Sequence, residues 1–333
     1  MSRVASLRPL YEETRRGLAA EPKEIPAVWL YDDRGSQLYE QITRLPAYYL
    51  PQREAEILAG RAEHIARRSG AHTLVELGAG GARNTRFLLD ALGDAGTIER
   101  FVPLDVSDGA LRTSVEAIED AYPEVAVVPI VGDFERNLES LPGRGPRLVA
   151  FLGSTVGNLN PDRRATLFGT LAAELAEDDW LLLGVDLVKE VGRIEAAYDD
   201  HTGVTEAFVR NALTAVNREL DARFEQRRFL YEPRWDPVAR WMDIGVRALA
   251  AHSVSVRGLD LEDQHAGLHV LDDERAIGLG EQHRAGRLDG DLRADDGLAA
   301  HRIDDLAAHR ARHRWRRRGA GPRLADLRDD RAL

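Results

Sequence analysis

Cysteine is absent from all 333 residues. That excludes disulfides, thiolate zinc sites, iron–sulfur clusters and any cysteine nucleophile, and it points to a cytoplasmic setting. Lysine is nearly absent: Lys23 and Lys189 are the only two among 45 basic residues. The arginine bias, with abundant alanine and glycine, reflects GC-rich coding and does not by itself imply arginine-based recognition. No run of 18 apolar residues occurs, so no segment is expected to span a membrane. The opening MSRVASLRPLYEETRRG lacks the apolar stretch of a signal peptide. Positive charge is in deficit, with a net charge of −11, which argues against a general nucleic-acid binder. What remains, 44% hydrophobic and 30% charged residues, fits a globular chain with a real core.

Three stretches follow. Residues 1–53 carry aromatics on a polar background: Tyr11, Trp29, Tyr31, Tyr39, Tyr48 and Tyr49. Pro22, Pro26, Pro46 and Pro51 punctuate this stretch and predict short helices. These aromatics either cap the main body or line a pocket. Residues 54–189 alternate apolar runs (Thr73–Leu77, Phe101–Leu104, Val125–Ile130, Leu148–Leu152, Trp180–Val185) with amphipathic segments at Arg83–Leu92, Gly109–Ala121 and Asp162–Ala176. This alternation predicts βαβ units in an α/β, doubly wound parallel sheet, with ligands at the carboxyl ends of its strands. The third stretch starts near Glu190, with a helix expected at Val204–Leu220 and a strand at Ser253–Val256. Beyond Asp263 the composition changes. Residues 264–333 hold one aromatic, Trp315, and three β-branched residues, Val270, Ile277 and Ile303. The basic run HRARHRWRRR could suit a polyanion. The favoured reading is out-of-frame translation of a GC-rich gene or a poorly ordered extension. This tail is expected to be helical or disordered and unable to complete a sheet edge.

The chemistry concentrates at Thr73–Thr85, TLVELGAGGARNT. Glycines after a first strand let backbone approach a ligand closely. A dinucleotide fingerprint needs a third glycine where Arg83 stands. The pattern therefore fits the methyl donor S-adenosylmethionine better, with a plain tight turn as the bland alternative. Asp105 ends the second strand, where its carboxylate could accept from vicinal ribose hydroxyls. Asp133 and Phe134 end the third, placed to accept from an adenine amine and to cover its ring. After the fourth comes FLGSTVGNL, in which Asn158 offers a donor and an acceptor to an amino-acid head group, or stabilises its own loop. His64, His72, His201 and His252 have no metal-ligand spacing, and His265 and His269 are read as surface residues. No metal is expected.

The ordered motifs WLYD (29–32), QITRLPAYY (41–49), VELGAG (75–80), GDF (132–134), FLGSTVGNL (151–159), LGVDLVK (183–189), AYDD (197–200) and VNREL (216–220) resemble the bacterial histidine N-alpha-methyltransferases of ergothioneine biosynthesis. The resemblance covers roughly Glu24 to Glu262. It implies a Rossmann-like methyltransferase core over 54–189 and a smaller α+β substrate domain built from 1–53 and 190–263, with 264–333 an atypical tail. It further implies S-adenosylmethionine as methyl donor, L-histidine as substrate, and a monomer without nucleic-acid or membrane partners. By position, Tyr31, Tyr48, Asn158 and Tyr198 correspond to substrate contacts. Gly78, Gly80, Asp105, Asp133 and Phe134 correspond to cofactor contacts. Asn84 stands where the family has a cofactor-binding lysine. The family grips the imidazole with Glu-x-Ser, and equal spacing gives Glu274-Arg275-Ala276 here. No residue is assigned general-base duty. Two alternatives stay open: a methyltransferase for another small amine, and a cofactor binder inactivated, or nearly so, by its altered tail.

Overall fold

The computed structural model describes residues 3–138, 141–143, 145–256, 259–263, 267–271 and 298–302. In chain order the helices are α1 (Arg3–Ala19), α2 (Asp33–Ile42), α3 (Leu50–Ser69), α4 (Thr85–Asp94), α5 (Asp108–Ala121), α6 (Pro161–Glu174), α7 (Val191–Tyr198) and α8 (Val204–Leu220). The strands are β1 (Lys23–Pro26), β2 (Thr73–Leu77), β3 (Arg100–Asp105), β4 (Ala126–Val127), β5 (Ile130–Val131), β6 (Arg147–Phe151), β7 (Trp180–Gly184), β8 (Phe229–Asp236), β9 (Trp241–Ala248), β10 (His252–Val256), β11 (Leu259–Asp263), β12 (Gly267–Leu271) and β13 (Leu298–Arg302).

The central strands are apolar because helices cover both faces of a parallel sheet; every residue of β2 is buried. The sheet runs β13-β7-β6-β2-β3-β4, with β5 also paired to β3. All its pairings are parallel except β13 on β7. The chain leaves β2 toward β3 and later returns to β6, so strand order reverses between β2 and β6. That is where an open α/β sheet leaves a crevice for ligands. Local chemistry sets the helix ends. Asn160 caps α6, accepting from the Arg163 N–H at 2.9 Å, with Pro161 in the first turn. Gly70 ends α3 in the left-handed region at φ +53°.

A second sheet, β1-β12-β9-β8, lies apart from the first, and β10 and β11 form a hairpin. Its hydrophobic core draws on residues from Leu10 to Leu50 and from Ile194 to Val256. The first sheet packs on two other clusters drawn from residues between Leu58 and Leu182.

Three expectations need correction. The N-terminal helices are not all short: α1 has 17 residues and contains Pro9. Pro22, Pro26 and Pro46 lie between helices, and Pro51 sits in the first turn of α3, where a missing N–H goes unused. The apolar run Val125–Ile130 is not one strand but the two short strands β4 and β5, both paired to β3. The tail does supply strands. β12 pairs with β1 and β9, and β13 completes an edge beside β7. Backbone ladders offered by neighbouring strands override weak β propensity. The rest of the tail lies outside the described residues.

One cap is experimentally accessible. Asp200 precedes α8 and accepts from the backbone N–H groups of Thr202, Val204 and Thr205 at 2.9, 3.3 and 2.8 Å, and from the Thr202 hydroxyl. Burial opposes its charge, but these hydrogen bonds prevail and hold its carboxyl at about 2 instead of 3.8. A depressed carboxylate pKa stabilises the fold above the unfolded value, and the benefit fades as pH falls through the folded one. Asp200→Ala should cost about 1–2 kcal/mol at pH 7. Urea denaturation at pH 7 and near pH 2 checks this, since the difference from wild type should shrink in acid.

Candidate active site at the carboxyl ends of the strands

β2 ends in a loop whose backbone turns sharply. Gly78, Gly80 and Ala82 have φ of +72°, +48° and +47°. The N–H groups of Gly78 and Ala79 donate to the Leu104 carbonyl at 2.8 and 3.1 Å, fastening the loop to the end of β3. A Cβ built on Gly80 would meet nothing within 4 Å, so the space above the loop is open. Asp105 closes the loop from β3: Oδ2 accepts the Gly80 N–H and Oδ1 the Ser107 N–H, both at 2.8 Å. A carboxylate has about four lone-pair sites, so two backbone bonds leave capacity for hydroxyl donors. Burial raises the Asp105 pKa, and the backbone bonds from Ser107 and Gly80 pull against that rise.

β5 leads to Asp133 and Phe134. Asp133 Oδ1 accepts the Glu135 N–H at 2.9 Å, and Arg136 lies 3.4 Å from its other oxygen. Phe134 packs edge-on against Phe151 with ring centroids 5.0 Å apart. The predicted cofactor residues Gly78, Gly80, Asp105, Asp133 and Phe134 thus gather along the ends of three adjacent strands. Asn84 is placed differently. Its amide donates to the Pro51 carbonyl at 3.1 Å and to Glu54 Oε2 at 2.9 Å.

Glu54, unremarked in the sequence, is the hub there. Its Oε1 accepts the Gly153 N–H at 2.7 Å, so one carboxyl joins the start of α4 to the turn after β6. Burial raises its pKa against the hydrogen bonds from Asn84 and Gly153. Below it, burial pushes Glu76 up to about 8; the Thr85 hydroxyl pulls down, while the charges of Glu54 and Asp105 push further up. Burial is the leading influence on all three carboxyls.

The turn after β6 runs through Ser154, at φ +59°, into a 3-10 turn at Thr155–Asn158. Asn158 is 6% exposed, and its Oδ1 is buried with no hydrogen-bond partner among the described residues. Such an orphan acceptor costs free energy unless a donor arrives.

The remaining predicted residues meet in an aromatic group. Tyr48 and Tyr198 lie edge to face, 6.0 Å between centroids. Tyr31 joins them through Tyr39 and Phe208: Tyr31–Tyr39 is 5.7 Å, Tyr31–Phe208 5.5 Å, Tyr39–Phe208 5.8 Å and Tyr39–Tyr48 6.4 Å. Sequence reasoning missed Phe208, which falls among apolar residues that read as core, and gave Tyr39 no role. The Tyr231 hydroxyl donates to the Tyr198 carbonyl at 2.6 Å and fixes the end of α7. Glu274 lies outside the described residues. A cavity of about 330 Å³ opens between the first turn of α3 and the ends of β6 and β7, bordered by Tyr49, Glu54, Gly153, Asp186, Lys189 and Arg193.

Among the described residues no three His, Asp or Glu side chains gather as metal ligands, and no helix is long and apolar enough to cross a membrane. A family model described as histidine-specific methyltransferase, SAM-dependent, matches residues 10–272. The chain is 48% identical over 263 residues to a histidine N-alpha-methyltransferase of Mycolicibacterium smegmatis, covering 79% of this chain and 82% of that one. A histidine N-alpha-methyltransferase of Mycobacterium tuberculosis is 44% identical with the same coverage. An N-methyltransferase of Aspergillus flavus is 27% identical, over 82% of this chain and 75% of its own. With the match spanning both sheets, the chain belongs to the family of histidine-specific, S-adenosylmethionine-dependent methyltransferases.

Proposed function

We propose that this chain methylates the α-amine of L-histidine three times in succession, forming hercynine for ergothioneine biosynthesis. The observation that carries the reading is the buried, unpartnered Oδ1 of Asn158 at the strand ends. An amino-acid head group brings the N–H donor it needs. The division into a core at 54–189 and a substrate domain from 1–53 and 190–263 belongs to the same reading, supported by the separate hydrophobic clusters. We place the enzyme in the cytoplasm as a monomer.

The residues present fit the methyl donor: the left-handed Gly80 leaves open space, and Asp105 keeps acceptor capacity beside it. Gly78, Gly80, Asp105, Asp133 and Phe134 would hold it, with the Asn84 amide near its amino-acid end. When bound, S-adenosylmethionine supplies an electrophilic methyl on a sulfonium centre. The chain's own part is mostly positioning. In the first two transfers Asn158 Oδ1 accepts an N–H of the substrate amine and turns the nitrogen lone pair toward the donor; the neutral dimethylamine that enters the third has no N–H, and the other head-group contacts alone position it. Tyr31, Tyr48 and Tyr198 hold the head group, with Tyr39 and Phe208 as the other walls of the aromatic group. A phenol with a reference pKa of about 10 is a weak base at neutral pH, so Tyr31 orients the amine and solvent takes the proton. Ring faces around the nitrogen favour the growing, finally quaternary, cation. Glu274 is assigned to the imidazole by its spacing alone.

Asn158→Ala should weaken histidine binding about tenfold or more while leaving S-adenosylhomocysteine affinity level. Calorimetric titration with each ligand checks this. A fall in cofactor affinity alone would mean the two pockets are assigned the wrong way round. Mass spectrometry of the reaction should find mono-, di- and trimethylated histidine, and other aromatic amino acids in the same assay test the small-amine alternative.

A further inference from the structure

We propose that Asp186, two residues beyond β7, positions the two halves of the amino-acid site against each other. It acts through the Tyr49 hydroxyl on one side and the Ser154 turn on the other. The inference rests on the reading above, in which Tyr48 and Asn158 touch the substrate.

Tyr48 and Tyr49 are neighbours that serve opposite surroundings. The Tyr48 ring meets Tyr39 and Tyr198. The Tyr49 hydroxyl instead donates to Asp186 Oδ2 at 2.5 Å. Lys189 Nζ donates to the same phenol oxygen at 3.0 Å and pairs with Asp186 Oδ1. The phenol is therefore held as donor and as acceptor at once, by partners of opposite charge. Such charge-assisted bonds are short and directional. Lys189 and Arg193 also lie 4.6 Å from the centre of the Tyr49 ring. A residue bound this firmly fixes the backbone of the residue before it, and that residue is Tyr48.

On its other side the Asp186 N–H donates to Ser154 Oγ at 3.1 Å. Ser154 is 4% exposed and sits at φ +59°, a conformation that L side chains rarely adopt. It starts the turn that ends at Asn158, with the Gly157 N–H donating to its carbonyl at 2.8 Å. One residue at the end of β7 therefore anchors both the Tyr48 segment and the Asn158 turn. Neither anchor involves Asp105, Asp133 or Phe134, so the effect is confined to the amino acid.

The test uses the full chain and three variants: Tyr49→Phe, Asp186→Ala and Asp186→Asn. Histidine is titrated in the presence of S-adenosylhomocysteine, and S-adenosylhomocysteine is titrated alone. Tyr49→Phe and Asp186→Ala should each weaken histidine about tenfold while cofactor affinity stays within about twofold. Both Asp186 variants keep the backbone N–H to Ser154; Asp186→Asn also keeps an oxygen for the Tyr49 hydroxyl, and should recover histidine affinity to within about threefold of wild type. Wild-type histidine affinity in Tyr49→Phe overturns the proposal, and so do equal losses for both ligands, which mark a general loosening. If wild type binds the cofactor product but not histidine, the substrate reading fails by itself. A crystal structure of Tyr49→Phe then decides: a Tyr48 ring displaced from Tyr198 supports the positioning role, and an unmoved ring overturns it.

Discussion

Asp105→Ala should lower the affinity for S-adenosylhomocysteine about a hundredfold. A hydrogen bond to a charged acceptor contributes about 1.5–3 kcal/mol, and two ribose hydroxyls would each lose one. The structure adds a second loss. Asp105 also holds the Gly80 and Ser107 N–H groups at 2.8 Å, so its removal unties the glycine loop from the end of β3. Asp105→Asn, which keeps one uncharged acceptor, should fall between wild type and Ala. Calorimetry on variants that melt as wild type does reads both effects. Unchanged affinity in a folded Asp105→Ala protein would refute the assignment.

The second large effect is on stability. Glu76 is 5% exposed and pushed from 4.5 to about 8. A raised carboxyl pKa means that the folded state holds a proton the unfolded chain releases between those values. Stability is therefore fully present below about pH 4.5 and falls as pH rises toward 8, by up to about 1.4 kcal/mol per pH unit. Glu76→Gln keeps an oxygen for the Thr85 hydroxyl and has no charge to bury. It should flatten the slope and make the protein markedly more stable than wild type at pH 8–9, with little difference near pH 5. Urea midpoints at pH 5, 6.5 and 8 measure this. Parallel curves for the two proteins would place the buried proton on another group.

Most of the first sheet was legible in the sequence because a parallel strand buried on both faces leaves an uninterrupted apolar run. Thr73–Leu77 matches β2 residue for residue, and Val204–Leu220 matches α8. The second sheet was less legible. β8 has one buried residue, Phe229, followed by half-buried and exposed positions, and it includes Pro233 and three charged residues, Glu232, Arg234 and Asp236. β12 and β13 owe their form to the strands beside them, which no local pattern reports. At the candidate site, acids at strand ends announced themselves by position. Glu54 did not, since nothing in LPQREAEIL says that one acid turns inward to Gly153 and Asn84. Phe208 stayed hidden because an aromatic on the buried face of an amphipathic helix looks like ordinary core.

The pairing of Lys23–Pro26 with Gly267–Leu271 carries a consequence for biosynthesis. Among the described residues β1 is an edge strand paired with β12 alone. It leaves the ribosome early, and β12 leaves only after β2, β3, β6 and β7 have all emerged. The parallel strands of the first sheet can therefore assemble on the nascent chain while β1 still waits with its backbone donors unmet. A premature stop between Gly184 and Gly267 would release a chain with the glycine loop in place and β1 stranded. Quality-control proteases would meet an exposed strand edge at the N-terminal end of such a product, far from the truncation itself.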